Sequence, residues 1–292
     1  MNALLRHAVI DLTRILAVFV IYPICYVFSI VCFGPPLIFV YAALDGPETP
    51  EMAFLLIMGF GLAIFALSLA PVLLPLDFMF APSLGARRPS MRERELLSRL
   101  EADYDAIASA NGLPKVSFHL RVIDVDEINA YAYGRNGVAI SRGVLELAKE
   151  TPENWSMLIT LLAHEIGHIV NHDTRFFAFL GTLQAPLFAS IWILSQISRI
   201  PFLALLTILP LLGCWFAIAS IDYILKLTSR AMEYRADAYA LSVVGAERVL
   251  KLFDHPTFRD HNKGQSIRSF LVRSHPPTEL RHDRIRRLSA SE

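Results

Sequence analysis

Two histidines and a glutamate stand close together in the apolar stretch LLAHEIGHIV, at 161–170. On a helix, four residues turn about 400° and rise about 6 Å, so the rings of His164 and His168 point the same way. Two imidazole nitrogens on one helix face are suited to bind a single Zn²⁺. Glu165 lies one step round the helix, where its carboxylate can reach a water held on the metal. The pattern His-Glu-x-x-His therefore predicts a zinc site with a carboxylate beside the bound water, the alternative being helix histidines that are satisfied by their neighbours.

A catalytic zinc usually takes a third protein ligand, and His172 is the first candidate because it continues the series. It would lie about 12 Å from His164 along the helix axis, however, which is too far for one ion to bind both. We therefore interpret His172 as an exposed residue at the helix end. Asn171 and Asp173 are interpreted in the same way.

A better third ligand occurs in the segment Glu-Tyr-Arg-Ala-Asp at 233–237. Glu233 and Asp237 are four residues apart, so they share one helix face. Glu233 can close the zinc site, and Asp237 can accept a hydrogen bond from the back of a ligand histidine, which fixes its tautomer. Taken alone, the segment would favour a solvated acidic helix face. Paired with the first motif, it favours the metal site.

Long apolar runs dominate the remainder of the chain. Hydrophobic residues form 54% of the sequence and charged residues only 18%, which is unusual for a soluble domain. The runs lie at 15–44, 52–76, 176–197 and 200–225. Each approaches or exceeds the ~20 residues that a helix needs to cross a bilayer, so we predict four spans. The first run is too long for a cleaved signal peptide, and the alternative for the last two is a helical hairpin lying in or on the bilayer.

The cysteines Cys25, Cys32 and Cys214 all lie in these apolar runs. Their spacing fits neither a disulfide framework nor a thiolate metal site. A metal in this protein must therefore use histidines and carboxylates.

Each side of the predicted spans that should face the cytoplasm carries lysine or arginine. Basic residues precede the first span, follow the second and follow the fourth, whereas the loop at 45–51 contains three acids and no base. The positive-inside rule then places both termini and both polar blocks in the cytoplasm. The net charge is +0, so nothing global indicates a nucleic-acid partner.

We predict an α+β fold in which a zincin-like catalytic domain is interrupted by membrane helices. Residues 1–76 form an N-terminal membrane region with two spans, and 176–225 form a membrane hairpin with two more. The polar blocks 77–175 and 226–292 are the two halves of one cytosolic domain, because neither alone makes a comfortable core. The local signals are a capping box at 90–93 that opens a helix toward Ala110, a strand at 115–122, a hairpin of 129–133 with 138–141, and a helix start at 151–153.

The order of HEIGH, two hydrophobic segments and EYRADAYA resembles the HtpX-type membrane metalloproteases, which are zincins with a glutamate as third ligand. The stretch Asn-Ala-Tyr-Ala at 129–132 is similar to the family's Asn-Ala-Phe-Ala. The stretch from Ser274 to Arg281 is similar to its Ser/Thr-His-Pro motif followed by Arg. Tyr131 departs from the usual Phe, and the Gly-Arg-Asn-Gly turn after it is shorter than in many relatives.

This resemblance implies a role for each matching residue. One Zn²⁺ is held by His164, His168 and Glu233; Glu165 is the catalytic carboxylate and Asp237 supports a ligand. The resemblance also places His275 and Arg281 near the active site, where they would stabilise the oxyanion or position other groups. It further implies that Asn129, Ala130 and Tyr131 form the strand edge that receives the substrate backbone.

The same resemblance implies protein or peptide substrates, notably misfolded or damaged membrane proteins, and a multi-pass location in the bacterial inner membrane. Two alternatives remain open at this point. A protease of prenylated CAAX proteins shares the zinc motifs, but it has seven spans where four are counted here. A membrane scaffold without catalysis is disfavoured by the intact Glu165, since inactive zincins most readily lose that carboxylate.

Overall fold

Helices form most of the chain, and the strands of its described residues belong to one small sheet. The computed structural model describes residues 12, 14–27, 50–74, 77–256 and 276–290. The helices in that part of the chain are α1 (Arg14–Val27), α2 (Pro50–Ser68), α3 (Ala70–Leu73), α4 (Asp77–Ser83), α5 (Met91–Ala110), α6 (Arg142–Ala148), α7 (Pro152–Val170), α8 (Asp173–Ile197), α9 (Pro201–Val244), α10 (Ala246–Asp254) and α11 (Thr278–Ser289). The strands are β1 (Ala86–Arg87), β2 (His119–Ile123), β3 (Ala130–Tyr133) and β4 (Gly137–Ser141).

Two compact units share the chain, and each is built from two separate segments. One unit comprises Met1–Leu73 and Phe177–Thr228, and the other comprises Leu74–Phe176 and Ser229–Glu292. The second unit contains the whole sheet and every metal-ligand candidate within the described residues.

The described part of the first unit is apolar and helical. Of the helices that the structure describes, α8 and α9 are long and apolar enough to cross a membrane, whereas Arg14–Val27 and Met58–Ser68 are shorter apolar helices. The membrane stretch of α9 exposes large apolar side chains: Phe202 is 92% and Leu209 79% exposed. Such a surface suits lipid rather than water. Two of the four predicted spans therefore coincide with helices that are long and apolar enough to cross a membrane, and much of the first predicted run, residues 28–44, lies outside the described residues.

The sheet of the second unit has the strand order β1-β2-β4-β3. Strand β2 runs parallel to β4, while β1 pairs antiparallel with β2 and β3 antiparallel with β4. Strand β3 therefore ends the sheet on one side. The predicted hairpin is confirmed, with Ala130 opposite Ile140 and Tyr133 opposite Gly137.

The two predicted helix starts are also confirmed. Ser90 caps α5 with the reciprocal bonds of a capping box to Glu93, and Thr151 caps α7 with proline at the first helical position. The strand predicted at 115–122 begins four residues late, at His119. Its partner β4 starts only at Gly137, opposite His119, so the alternating residues before His119 have no strand to pair with.

Helix α7 forms the centre of the core of this unit. Leu158, Leu162 and Ile166 are fully buried on it, at the four-residue spacing of one helix face. Each such side chain contributes about 1.5–3 kcal/mol when withdrawn from water. This packing fixes the helix that carries the histidines.

Candidate metal centre

The two histidines of α7 face the same space, as their spacing predicts. Their ring centroids lie 4.9 Å apart with the rings nearly perpendicular, at 88°. His164 is buried and His168 is half-buried. Helix α9 brings Glu233, which is also buried, against both rings.

The ring nitrogens that face Glu233 are the Nε2 atoms. Nε2 of His164 lies 3.4 Å from Oε2 of Glu233, and Nε2 of His168 lies 3.6 Å from Oε1. Both separations are longer than the 2.7–2.9 Å typical of a charge-assisted hydrogen bond. They match the ~3.3–3.5 Å between two ligands that each lie about 2.0–2.2 Å from a tetrahedral zinc.

The donor set also suits zinc. Two imidazole nitrogens and one carboxylate oxygen, one from each of the three residues, lie within 4.8 Å of one another. This is the ligand combination of a catalytic zinc site with a fourth position left for water. The residues present therefore fit the ion that the sequence pattern implies.

A carboxylate holds the far side of the His164 ring. Nδ1 of His164 lies 3.0 Å from Oδ1 of Asp237, which leaves Nε2 for the metal. Arg281 donates from Nε and Nη2 to the two oxygens of Asp237, at 2.8 and 2.5 Å. Its Nη1 also lies 3.5 Å from Glu233. The structure thus brings Asp237 and Arg281 into the site, with Arg281 bound to the carboxylates.

A second carboxylate holds the far side of the His168 ring. Nδ1 of His168 lies 2.9 Å from Oδ2 of Asp173, and Nη2 of Arg235 donates to Oδ1 of Asp173 at 2.7 Å. The interpretation of Asp173 as an exposed helix-end residue is wrong, because its side chain is only 1% exposed. His172 is exposed as expected. Its φ of 59° turns the chain sharply between α7 and α8, which swings Asp173 back to His168.

Burial and charge set the protonation of this cluster when no metal is bound. Burial lowers the pKa of His164, but the nearby carboxylates of Asp237 and Glu233 outweigh it and raise the pKa to about 10. Burial likewise lowers the pKa of Arg281, and Asp237 raises it well above its ordinary value. The carboxylates of Asp237 and Glu233 therefore favour a positively charged group beside them. A divalent cation would supply such a charge.

Gly167 lets α9 approach α7 closely enough for Glu233 to reach the histidines. A Cβ at this position would lie 2.8 Å from Cα and 3.0 Å from the carbonyl oxygen of Ala236, and 3.1 Å from Cβ of Tyr239. Tyr239 is bonded in turn to Tyr104 of α5, with 2.9 Å between the hydroxyls. The glycine between the two histidines is thus required by packing.

Glu165 points to the sheet. Its Oε2 accepts a hydrogen bond from the backbone N–H of Ala132 at 2.6 Å, and its side chain is buried. Because antiparallel strands alternate their bonding direction, the N–H groups of Ala130 and Ala132 both point away from β4. The general-base candidate therefore contacts the outer edge of β3.

The side chain of Asn129 accepts a hydrogen bond from the other outward-pointing N–H of β3, that of Ala130. Its Oδ1 accepts from Ala130 N at 2.9 Å, and its Nδ2 donates to the Tyr131 hydroxyl at 2.8 Å. The pKa of Tyr131 is raised, first by burial and then by the Glu127 and Glu165 carboxylates, although Asn129 lowers it. The edge predicted to receive substrate lies next to Glu165. His275 lies outside the described residues.

Residues 94–290 match the peptidase family M48. The chain belongs to this family. M48 membership and HtpX-type relatives confirm the sequence interpretation of an HtpX-like membrane metalloprotease.

Among the relatives is a protease HtpX from Stenotrophomonas maltophilia, 29% identical over 288 residues that cover 85% of this chain and 91% of the relative. A protease HtpX homolog from Acidiphilium cryptum is 32% identical over 161 residues, which span about half of each protein, 50% of this chain and 51% of the relative. Among solved structures, Ste24p from S. mikatae aligns with a TM-score of 0.45 at 18% identity, covering 96% of this chain and 67% of that one.

Proposed function

We propose that this M48 protein is a membrane-bound zinc endopeptidase in which His164, His168 and Glu233 hold one Zn²⁺ and Glu165 moves the proton. The observation that carries the proposal is the pairing of the two Nε2 atoms with Glu233 at 3.4 and 3.6 Å, while both Nδ1 atoms are taken by buried aspartates. The aspartates fix the tautomers of both imidazoles, so that both Nε2 atoms face one carboxylate. This is the arrangement of histidine ligands at a metal site.

Hydrolysis of a peptide bond needs a water molecule whose pKa is lowered and a general base beside that water. Zinc, when bound, supplies the positive charge that lowers the pKa of a water molecule toward ~7. Glu165 follows His164 directly and lies between the ligands and β3, where it accepts the proton of the attacking water and later delivers it to the leaving amine. Its bond to Ala132 uses Oε2, so Oε1 is the atom for the water.

The substrate would bind as an added strand on the outer edge of β3. Main-chain hydrogen bonds give affinity in this mode, so it recognises an extended backbone more than a particular sequence. A substrate carbonyl that bonds to Ala130 or Ala132 must displace the side chain of Asn129 or Glu165. Displacement from Ala132 frees the Glu165 carboxylate at the moment when the peptide arrives.

This mode favours segments that have lost their fold, which supports quality control of misfolded or damaged membrane proteins as the physiological role. The distribution of lysine and arginine supports a cytoplasmic active site, and the resemblance to HtpX proteases supports the bacterial inner membrane as its location. A CAAX-type activity is less supported, since relatives found for this chain are named HtpX proteases. The scaffold alternative is disfavoured by the geometry of Glu165 as well as by its presence.

Zinc content and proteolysis test the proposal directly. The full chain is purified in detergent under conditions that block self-cleavage, its zinc is measured by elemental analysis, and it is incubated with casein as an unfolded substrate. We expect one zinc per chain. Glu165→Gln should keep the zinc and lose about 10²- to 10⁴-fold in activity. Glu153→Gln is the matched control, because Glu153 is exposed in the first turn of the same helix.

Two results would contradict the proposal. Full zinc-dependent proteolysis by Glu165→Gln would remove Glu165 from the mechanism. A wild-type chain that binds no zinc, or whose zinc survives removal of His164 and Glu233, would show that the metal site lies elsewhere or does not exist. If a folded globular protein were cleaved as fast as casein is, this result would argue against binding of the substrate as an extended strand on β3.

A further inference from the structure

Both ligand histidines are backed by the same arrangement of an aspartate and an arginine. His164 contacts Asp237, which is bound by Arg281, and His168 contacts Asp173, which is bound by Arg235. The first set includes Asp237, which the motif pattern implies. Nothing in the motifs indicates the second set, and its members are drawn from the start of α8 and from α9.

Asp173 and Arg235, which back His168, are both buried, and their hydrogen bonds hold each group in one orientation. The side chain of Asp173 is 1% exposed and that of Arg235 is 9% exposed. Charges buried to this degree are retained only where their partners are well aligned. Each oxygen of Asp173 has its own partner, Oδ2 facing His168 and Oδ1 facing Arg235. The carboxylate is therefore held in one orientation between the ring and the guanidinium.

Backbone geometry supplies this carboxylate. His172 adopts a φ of 59°, a left-handed conformation that residues with a side chain rarely adopt. The strained residue separates α7 from α8, and the first residue after it is Asp173. The turn therefore carries Asp173 back toward the end of α7, where His168 lies.

We propose that Asp173 is a positioning residue for His168, and that Arg235 acts through Asp173. By accepting the Nδ1–H, Asp173 keeps the lone pair of Nε2 available on the side facing Glu233 and holds the ring plane still. Arg235 holds Asp173 in the orientation that does so. This inference rests on the proposed zinc site, but it concerns residues that do not contact the metal.

A merely structural role predicts a different result. A negative charge at the start of a helix stabilises that helix, so Asp173 could serve α8 alone. In that case its loss would lower the melting temperature of the metal-free protein and leave zinc affinity unchanged. A positioning role predicts a loss in zinc affinity, whereas the metal-free melting temperature falls in either case, because asparagine leaves the buried Arg235 guanidinium without its counter-charge.

The test measures zinc affinity by competition with a chromophoric chelator, using the full chain in detergent, together with thermal unfolding in EDTA. Asp173→Asn should lower zinc affinity about 10- to 100-fold. The matched control is Asp77→Asn. Asp77 is also a buried aspartate of the same unit, but its carboxylate accepts the backbone N–H groups of Arg135 and Asn136, so zinc affinity should stay at the wild-type value.

Arg235→Met tests the second half of the proposal. It should weaken zinc binding by itself, and the double variant with Asp173→Asn should be no weaker than Asp173→Asn alone. Losses that multiply in the double variant would show that Arg235 acts independently. If Asp173→Asn fails to fold, Arg235→Met and Arg235→Lys serve in its place. Lys keeps the charge but not the planar fork, so a graded loss is expected, and wild-type affinity in both would overturn the proposal.

The outcomes also separate this inference from the function on which it rests. Wild-type zinc affinity in folded Asp173→Asn, combined with lost binding in His168→Ala, overturns the positioning role and leaves the zinc site standing. A wild-type chain without zinc, or a His168→Ala variant that binds zinc normally, overturns the zinc site itself.

Discussion

Replacing Gly167 by alanine should weaken zinc binding while leaving the metal-free protein folded. The added Cβ would lie 2.8 Å from Cα of Ala236 and 3.1 Å from Cβ of Tyr239. Carbon atoms pack best at about 3.5–4.0 Å, so α7 and α9 must separate by roughly 0.7 Å or more. The atoms in the way are backbone and Cβ atoms, which cannot move aside by changing a rotamer.

That separation acts on the ligands, because Glu233 lies on α9 three residues before Ala236. Its distances to the two histidines, now 3.4 and 3.6 Å, would lengthen to about 4 Å, beyond the ~3.3–3.5 Å that a tetrahedral zinc requires. Binding zinc would then force the helices back into the overpacked arrangement, at about 1–3 kcal/mol. At about 1.4 kcal/mol per tenfold, zinc affinity should fall about 5- to 150-fold.

The metal-free protein should respond differently. Alanine is favoured over glycine in a helix interior by about 1 kcal/mol, which offsets part of the strain once the helices have relaxed apart. Zinc affinity is measured by chelator competition, and thermal unfolding is followed in EDTA. Gly181→Ala is the control, because Gly181 is also helical and a Cβ there meets nothing within 4 Å. Wild-type zinc affinity in Gly167→Ala would refute the claim that the close approach of α9 sets the ligand geometry.

Three further predictions concern the edge strand, the metal and acid. A non-cleaved peptide should bind about 2- to 10-fold more tightly to Glu165→Ala than to Glu165→Gln, because glutamine can still accept the Ala132 N–H; equal affinities by fluorescence anisotropy would mean that substrate does not use this amide. Free zinc at 100 times its Kd should raise the free energy of unfolding by about 2.7 kcal/mol, and the matching rise in melting temperature should vanish in His168→Ala. The pKa of Glu93 is lowered to about 2, chiefly by Arg87, so its stabilisation is complete above the ordinary carboxylate pKa and is lost as the pH falls toward 2. The stability difference between pH 6 and pH 3 should therefore shrink in Glu93→Gln, and an unchanged difference would show that this carboxylate is not a source of the acid sensitivity.

The features that local sequence determines were predictable. Helical periodicity alone places His164 and His168 on one face, and the caps at Ser90 and Thr151 act within a few residues of themselves. The proposed third ligand needed more than periodicity, since Glu-x-x-x-Asp occurs on many solvated helices. Only the combination with the first motif selected Glu233.

What escaped prediction depends on backbone turns and tertiary contacts. Asp173 was misjudged because the left-handed residue before it is a histidine rather than a glycine, so nothing in the sequence signals the reversal. The bond from Ala132 to Glu165 joins a strand to a helix 33 residues away, and no local pattern encodes it. The predicted strand began four residues before β2, because an alternating pattern does not indicate where the partner strand begins.

The separation of the ligands along the chain has a consequence for synthesis. Glu233 follows His168 by 65 residues, and ribosomes add about 5–20 residues per second, so the histidines exist for about 3–13 s before the third ligand is made. Arg281 follows Asp237 by a further 44 residues. A nascent chain with only the two histidines offers zinc an incomplete site. If the proposed zinc site is correct, the apolar segments 176–197 and 200–225 are both translated before the third ligand, so the nascent chain cannot act as a peptidase until both have been made.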